Sequence, residues 1–287
     1  MVIASLVSNR RILIFYLESM NHYVKLVSLV LFIAVGCKDV PSSKDKSTNS
    51  EKSVEELREE HTSTIVNEAI KAHGGSLYDV ANYQFVFRDK IYVFNNQNGF
   101  TYTVHSIDSV GNRIEDRLIN GSFSRKVNDV VVGLSEKDIT KYSEALNSVV
   151  YFATLPHKLN DEAVKKEGVG ETIIKGEDYD VVKVTFDKEG GGTDHDDVFM
   201  YWINKKSHYI NYLAYSYSVN DGGVRFRSAY NPRTIDGIRF QDYINWEAPL
   251  GTPLKELPVM FEKGQLNELS RIETRDIQNL DSNTTAP

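Results

Sequence analysis

The sequence predicts an α+β protein built from an antiparallel meander sheet of roughly ten strands and a few helices. Apolar and polar residues alternate with a period of two in segments such as 83–87, 182–186 and 224–226, as they do in half-buried strands. Short turn sequences, among them 95–99 and 236–237, separate these segments. Turns of this length join only antiparallel neighbours, because a parallel crossover needs roughly a dozen residues or more. A sheet of this size is large enough to curl.

The N-terminal segment is typical of an exported lipoprotein. Lys25 precedes a run of about ten apolar residues that ends in Ala-Val-Gly and Cys37, the only cysteine of the chain. The pattern predicts a signal peptide over residues 1–36 and acylation of Cys37. Residues 20–37 form a complete signal by themselves, so Met20 is the predicted start of translation. The run is shorter than the roughly 20 residues of a bilayer span, and a plain secretory signal or an uncleaved membrane anchor are the alternatives.

The composition of the remaining chain predicts its domain organisation and argues against nucleic acid as a partner. Residues 37–53 are polar and predict a disordered tether, residues 54–280 a single domain, and residues 281–287 a flexible tail. The net charge is −7 and no basic cluster appears, so nucleic acid is not an expected partner. The expected partner is a membrane, reached through acylated Cys37. The predicted location is the cell envelope, with the outer membrane favoured because no aspartate directly follows the cysteine.

Two helices are predicted from apolar residues at helical spacing. The first begins near Val54 and ends at the Gly-Gly pair 74–75. The second begins at Ser135, which forms a capping box with Asp138, and interrupts the strands. An apolar segment that ends at Pro156 follows, and then a short polar helix is predicted around residues 160–166.

This order of elements resembles the LolA/LolB and LppX-like lipoprotein folds. The chain also resembles a family of uncharacterised bacterial lipoproteins in short sequences such as AHGG at 72–75, DVFMYWIN at 197–204 and GIRFQDYINW at 237–246. The LolA-like architecture implies a half-barrel of about ten or eleven strands, with helices on its concave face and room for acyl chains between them. No residue of the uncharacterised family brings an assigned role with it.

The aromatic residues suit the wall of a cavity for an apolar or amphipathic ligand. Many of the 16 tyrosines lie in the C-terminal third, and they combine an apolar ring with a polar tip. Packing in any curved sheet is the alternative use. Strict alternation places Asp242 on an apolar face, where a carboxylate must be paired or protonated unless a bulge turns it outward. The predicted cavity residues are Tyr142, Leu146, Val149, Phe152, Leu155, Trp202, Tyr215, Phe240, Asp242 and Trp246.

Three arginines are candidates for binding a ligand head group. Arg225, Arg227 and Arg239 are expected on the polar face of two adjacent strands. Guanidinium groups bind phosphate or carboxylate through paired hydrogen bonds. The alternative is an outer sheet face on which these arginines form ion pairs with residues such as Asp242 or Glu247.

One segment holds weak candidates for metal ligands, but its spacing fits no calcium loop and a solvated hairpin turn is the alternative. Those candidates are Asp194, His195, Asp196 and Asp197. A hydrolase or metal-dependent enzyme around His195 is therefore a minor hypothesis. No phosphate loop, Ser/His/Asp grouping or HExxH motif occurs, so no cofactor is predicted. Short-turn antiparallel strands also argue against the parallel barrel of a Schiff-base aldolase.

Two functions remain for a protein that is predicted not to be an enzyme. The first is a carrier or sensor that binds a lipid or a lipoprotein acyl chain between a curved sheet and its helices. The second is a structural lipoprotein with a filled core that docks an envelope protein partner. An open cavity in the hollow of the sheet favours the first function, and a hollow filled with side chains favours the second.

Overall fold

The computed structural model describes residues 53–187, 197–218 and 221–282. Its strands form two antiparallel sheets of seven. The first sheet contains β1 (Asn82–Phe87), β2 (Lys90–Asn95), β3 (Thr101–Ile107), β4 (Arg113–Ile119), β5 (Ser122–Val127), β6 (Val130–Val132) and β14 (Arg275–Asn279). The second contains β7 (Val164–Ile174), β8 (Glu177–Phe186), β9 (Val198–Asn204), β10 (Ile210–Tyr217), β11 (Gly223–Ile235), β12 (Ile238–Ala248) and β13 (Asn267–Ile272). The helices are α1 (Val54–His73), α2 (Glu136–Ala153) and α3 (Leu257–Glu262).

Each sheet is a meander in which consecutive strands pair, and β14 adds to the free edge of β1. The predicted class, an antiparallel meander with packed helices, is confirmed. The division into two sheets, and a strand number above ten or eleven, were not predicted. Strand β7 explains part of the difference, because its sequence VKKEGVGETII lacks alternation and most of its side chains are exposed. The polar helix predicted around residues 160–166 is wrong, since a 3₁₀ turn at His157–Asn160 leads directly into β7.

Helix α1 has the predicted limits. Ser53 caps its N-terminus, where the Glu56 backbone N–H donates to Ser53 Oγ at 3.2 Å and Glu56 Oε2 accepts from the Ser53 N–H at 2.6 Å. Gly74 ends the helix with φ of 138°, a conformation that favours glycine. Val66 and Ala69 are fully buried against the second sheet, so α1 covers one face of that sheet.

Helix α2 lies between the two sheets. Ser135 caps it as predicted, accepting from the Asp138 backbone N–H at 3.2 Å. Leu146 and Val150 are buried in the core of the first sheet. The next two residues, Tyr151 and Phe152, pack against the core of the second sheet. Because α2 contacts both sheets, its C-terminal half lies in the hollow that they enclose.

The second sheet has a core on each face. On one face α1 and the end of α2 pack against β8–β12, and on the other face α3 covers a cluster that includes Trp202, Phe226 and Leu257. Alternation along the strands assigns side chains to these two faces. Within the described residues, no helix has the length and apolar content needed to cross a membrane.

Candidate functional site

Two clefts flank the C-terminal half of α2, one on each side. The first cleft has a volume of about 250 Å³ and lies between α2 and strands β10–β13. The second cleft, of about 270 Å³, lies between α2, strand β3 and strands β7–β9. Ser148 and Phe152 line both. The Phe152 ring, which is half-buried, therefore forms a partition between two spaces on opposite sides of one helix.

The first cleft is formed by apolar residues of α2 and by a more polar strip of the second sheet. Val149 and Ala153 contribute the apolar side, and Ile272 of β13 adds to it. The polar strip consists of the side chains on one face of β11 and β12: Arg227, Gln241, Tyr243 and Asn245. Such a combination is suited to a ligand with an apolar part and a polar part.

Arg227 is the charged group inside the first cleft. The residue is only 7% exposed, and its guanidinium carbon lies 4.0 Å from the centroid of the Phe152 ring and 5.1 Å from that of Tyr215. Nη2 donates a hydrogen bond of 3.0 Å to the Tyr215 hydroxyl. The remaining groups around it are largely aromatic, so the cation is held mainly by ring faces and one phenol.

Burial keeps three phenol hydroxyls at or near the clefts neutral. Burial raises the pKa of Tyr243, and the bond that its hydroxyl accepts from Gln241 Nε2 at 2.7 Å opposes this shift only in part. The hydroxyl of Tyr151, which lines the second cleft, lies 3.1 Å from that of the buried Tyr201, and burial raises the pKa of each well above its usual range. These groups therefore offer hydrogen bonds and no charge at any physiological pH.

The second cleft is more apolar, and the charged residues at its rim are paired. Phe100, Phe186 and Phe199 contribute aromatic rings to its lining. Lys158 Nζ lies 3.5 Å from Asp161 Oδ2, and the same nitrogen lies 5.6 Å from the Phe100 ring centroid. This cleft therefore suits the apolar part of a ligand.

The structure separates the three arginines that the sequence grouped. Arg225 pairs with Glu247 across neighbouring strands, with Nη1 and Oε1 3.1 Å apart, as the ion-pair alternative expects. Arg239 stacks on Tyr209, its guanidinium carbon 3.7 Å from the ring centroid, and burial lowers its pKa. Neither lines the first cleft. Arg227 alone of the three lies there.

The predicted cavity residues also separate into groups. Val149, Phe152 and Tyr215 line the clefts. Leu146, Leu155 and Phe240 instead fill the core, each at most 5% exposed. Trp202 and Trp246 lie on the opposite face of the second sheet under α3, because their side chains alternate away from α2. Tyr142 is also outside the clefts, since its ring packs under the Arg125 guanidinium at 3.5 Å.

Asp242 is buried and fully paired. It lies on the β12 face that alternation predicts, and it is 3% exposed. Its carboxylate accepts from Arg233 Nη2 at 2.9 Å, from Asn231 Nδ2 at 2.7 Å and from the Thr274 backbone N–H at 3.0 Å. A register shift on β11 between Tyr230 and Arg233 gives these donors access. The residue therefore joins β11, β12 and the segment before β14, and has no oxygen open to a ligand.

Four of the residues singled out by sequence lie outside the described part of the chain. These are Cys37, Asp194, His195 and Asp196. Asp197 is described and buried, at 8% exposed. Within the described ranges, no group of three or more His, Cys, Asp or Glu side chains is arranged to hold a metal ion.

Several residues of the clefts were not predicted. Gln241, Tyr243, Asn245 and Ile272 belong to the first cleft. They share the face of Arg227, which the sequence analysis treated as the polar face of β11 and β12. Their spacing at positions 241, 243 and 245 was the available signal.

Several solved structures are similar to this chain at low sequence identity and low TM-score. A DUF1329 family protein from Desulfovibrio piger is 13% identical over 76% of this chain and 93% of its own, with a TM-score of 0.39. A LolA superfamily protein from Nitrosomonas europaea is 12% identical over 79% of this chain and 97% of its own, with a TM-score of 0.40. A putative outer membrane lipoprotein-sorting protein domain from Vibrio parahaemolyticus is 9% identical over 77% and 93%, with a TM-score of 0.36. No curated protein matches the chain. The profile of a family described as "Family of unknown function (DUF6503)" matches residues 62–274.

Proposed function

This chain belongs to the DUF6503 family, in agreement with the predicted resemblance to a family without an assigned role, and we propose that it is an envelope lipoprotein that binds an apolar or amphipathic ligand. In this proposal residues 1–36 are removed, and acyl chains on Cys37 hold the protein at a membrane, with the outer membrane favoured. Residues 37–53 tether the domain to that membrane. The domain acts as a carrier or sensor of a lipid or of a lipoprotein acyl chain.

The observation that supports this function is the pair of clefts beside α2. They lie in the hollow between the two sheets, where aromatic and aliphatic side chains meet the polar strip of β11 and β12. Sites for small apolar ligands have this character. Most of the surrounding side chains are packed into three buried clusters, and the two clefts are the open space beside α2.

The size of the clefts sets the expected ligand. Each cleft, at about 250 and 270 Å³, lies just below the roughly 300 Å³ at which pockets begin to hold drug-sized ligands. One cleft alone is suited to a short tail. A long acyl chain requires both, and it reaches the second only if the Phe152 ring rotates away from its present position.

A chain-length series tests the proposal. Residues 51–287 form one compact unit with its own core clusters, so a protein that begins at Glu51 keeps the described fold and lacks the anchor. Calorimetric titration with straight-chain alkyl alcohols of increasing length is expected to show affinity rising about fourfold per methylene, from about 0.8 kcal/mol each, and then levelling off when the clefts are filled. Affinity that is undetectable at every length contradicts the proposal.

Two matched variants of α2 test whether the ligand binds beside this helix. Val149→Trp fills the first cleft, which Val149 lines, and is expected to abolish the tightest binding. Ile139→Trp introduces the same side chain on the same helix, at a position that is 37% exposed and outside both clefts. This variant is expected to bind the alcohols with wild-type affinity. Equal effects of the two substitutions contradict binding beside α2.

A protein partner is the second candidate function, and β6 favours it. This short strand ends the first sheet, and its Val130 and Val131 are 66% and 67% exposed. Apolar side chains on an open edge are typical of docking by another strand. Photo-crosslinking from position 131 in cells distinguishes the candidates: a stoichiometric protein adduct, together with no alcohol binding by the purified domain, supports docking over ligand carriage.

A further inference from the structure

We propose that Arg227 and Asn245 form a subsite for an anionic head group, so that the ligand of the first cleft is an amphiphile ending in a carboxylate or a phosphate. This inference rests on the proposed function, which requires only an apolar ligand. It adds the charge of the ligand and names the residues that recognise it.

The hydrogen bonds of Arg227 are incomplete in a way that points to a missing acceptor. Nε is buried and has no partner among the described residues, and Nη2 has only the Tyr215 hydroxyl. No carboxylate of the described ranges forms a salt bridge with this guanidinium. A cation that is 93% removed from solvent and lacks a counter-charge is unfavourable in the empty protein, and an anion bound beside it removes that penalty.

Other arginines of the same strand show that the absence of a counter-ion is specific to Arg227. Arg225 has Glu247, and Arg233 has Asp242 at 2.9 Å. The three side chains come from one strand, yet only that of Arg227 faces α2 and the first cleft. The two arginines of β11 outside the first cleft are each paired with a carboxylate. Within the described residues, the arginine inside the cleft is not.

Asn245 supplies a second polar group that lacks a partner. It lies directly opposite Arg227 in the register of β11 and β12 and lines the same cleft. Its buried Oδ1 has no partner in residues 53–187, 197–218 and 221–282, while Nδ2 makes a long hydrogen bond of 3.3 Å to Ser270 Oγ. An amide that rotates by 180° exchanges the donor and the acceptor. Asn245 is therefore able to donate to an anionic oxygen or to accept from a hydroxyl of the same head group.

The charge of the cleft agrees with an anion. Two charged residues, Arg88 and Arg227, are found in its lining, and both are cationic. No Asp or Glu of the described residues lines it. The apolar side of the cleft, formed by Val149, Phe152 and Ala153, lies next to Arg227 and continues towards the second cleft through the Phe152 partition. A head group on Arg227 thus places its tail along α2.

The experiment compares ligands that share a chain and differ in charge. The protein that begins at Glu51 is titrated calorimetrically with dodecanol, dodecanoate, dodecyl phosphate and inorganic phosphate. We expect the wild type to bind at least one of the two anionic amphiphiles ten or more times as tightly as dodecanol, and the tighter of the two identifies the head group. Equal affinity for dodecanol and both anions overturns the inference and leaves the apolar site intact.

Variants then assign the preference to Arg227. In Arg227→Met the preference is expected to fall below threefold, and a far-ultraviolet circular dichroism spectrum identical to that of the wild type shows that the variant is folded. Arg227→Lys keeps the charge without the paired donors and is expected to retain part of the preference. Arg225→Met, the matched control from the same strand, keeps all of it. A preference that survives in Arg227→Met overturns the inference.

The remaining outcomes separate the inference from the function on which it rests. If none of the amphiphiles binds, both are wrong. If inorganic phosphate binds as tightly as dodecyl phosphate and its binding is lost in Arg227→Met, the anion subsite is supported while the proposed function fails, because the tail then contributes nothing.

Discussion

Burial of His73 is expected to make the unfolding free energy of this protein depend on pH. The residue ends α1 and is 1% exposed. Nδ1 donates to the Ala69 carbonyl at 2.8 Å, whereas the buried Nε2 has no partner within the part of the chain that the structure describes, and the ring meets the edge of Tyr209 at 5.3 Å. Burial lowers the pKa of His73 from 6.5 to about 4, with the nearby Arg239 cation adding to the shift and the Ala69 hydrogen bond opposing it.

The sign and the size of the effect follow from that shift. The folded protein keeps His73 neutral while the unfolded chain protonates it below pH 6.5. The contribution of the neutral ring is therefore present in full above pH 6.5 and is lost as the pH falls towards 4. At about 1.4 kcal/mol for each unit of pKa, the whole loss is about 3 kcal/mol, of which about 2 kcal/mol has occurred by pH 5.

Urea unfolding at pH 7 and pH 5 measures this loss. Carboxylates also titrate between these values, so the informative quantity is the difference between the wild type and His73→Phe, which keeps a ring beside Tyr209 and removes the proton site. The drop in unfolding free energy between the two pH values is expected to be about 2 kcal/mol smaller in the variant. His61→Gln, an exposed histidine of the same helix, is the control and leaves the drop unchanged. Identical drops in the wild type and His73→Phe would refute the reasoning.

Three further predictions concern the packing around the clefts. Asp242→Ala leaves the Arg233 cation without its carboxylate and removes the acceptor of the buried Thr274 N–H, so urea unfolding should show a loss of about 3 kcal/mol, and a loss below about 1 kcal/mol contradicts this. Phe152→Ala removes the partition, and the alcohol length at which affinity levels off should increase; an unchanged length means that the two clefts do not join. Gly74→Ala forces a side chain onto a φ of 138°, and urea unfolding should show a loss of about 1–3 kcal/mol, whereas wild-type stability would show that the helix end relaxes freely.

Local rules predicted the elements of the fold whose signals are contained in a few neighbouring residues. Capping by Ser135 and termination at Gly74 depend on contacts within one helical turn, so the limits of α1 and the start of α2 were predicted, whereas α2 runs on to Ala153 through part of the predicted apolar segment. Strands with two-residue alternation, such as β1, were recognisable for the same reason. Strand β7 was not, because it is an edge strand that pairs with β8 alone, and most of its side chains face solvent. An exposed edge strand needs no apolar alternation.

The two-sheet arrangement depends on contacts that no local pattern contains. Strand β14 returns to β1 across nearly the whole chain, pairing Tyr83 with Asn279. The packing of Ile238 and Phe240 into the core of the first sheet comes from equally distant parts of the sequence. Alternation established that these side chains are buried. It gave no information on which sheet buries them. A single sheet was therefore predicted where the structure has two.

The candidate site also depends on tertiary contacts that alternation along a strand does not reveal. Alternation predicted one polar face for Arg225, Arg227 and Arg239, with a head-group site and an outer, ion-paired sheet face as the two interpretations. In a sheet with helices on one side and α3 on the other, both faces of β11 and β12 are covered, so polarity no longer identifies the outside. The polar side chains that meet α2 instead line the hollow. A polar face on a strand with two covered faces is therefore better interpreted as the wall of an internal cleft, and the residue there without a counter-charge, Arg227, as the position from which to search for a ligand.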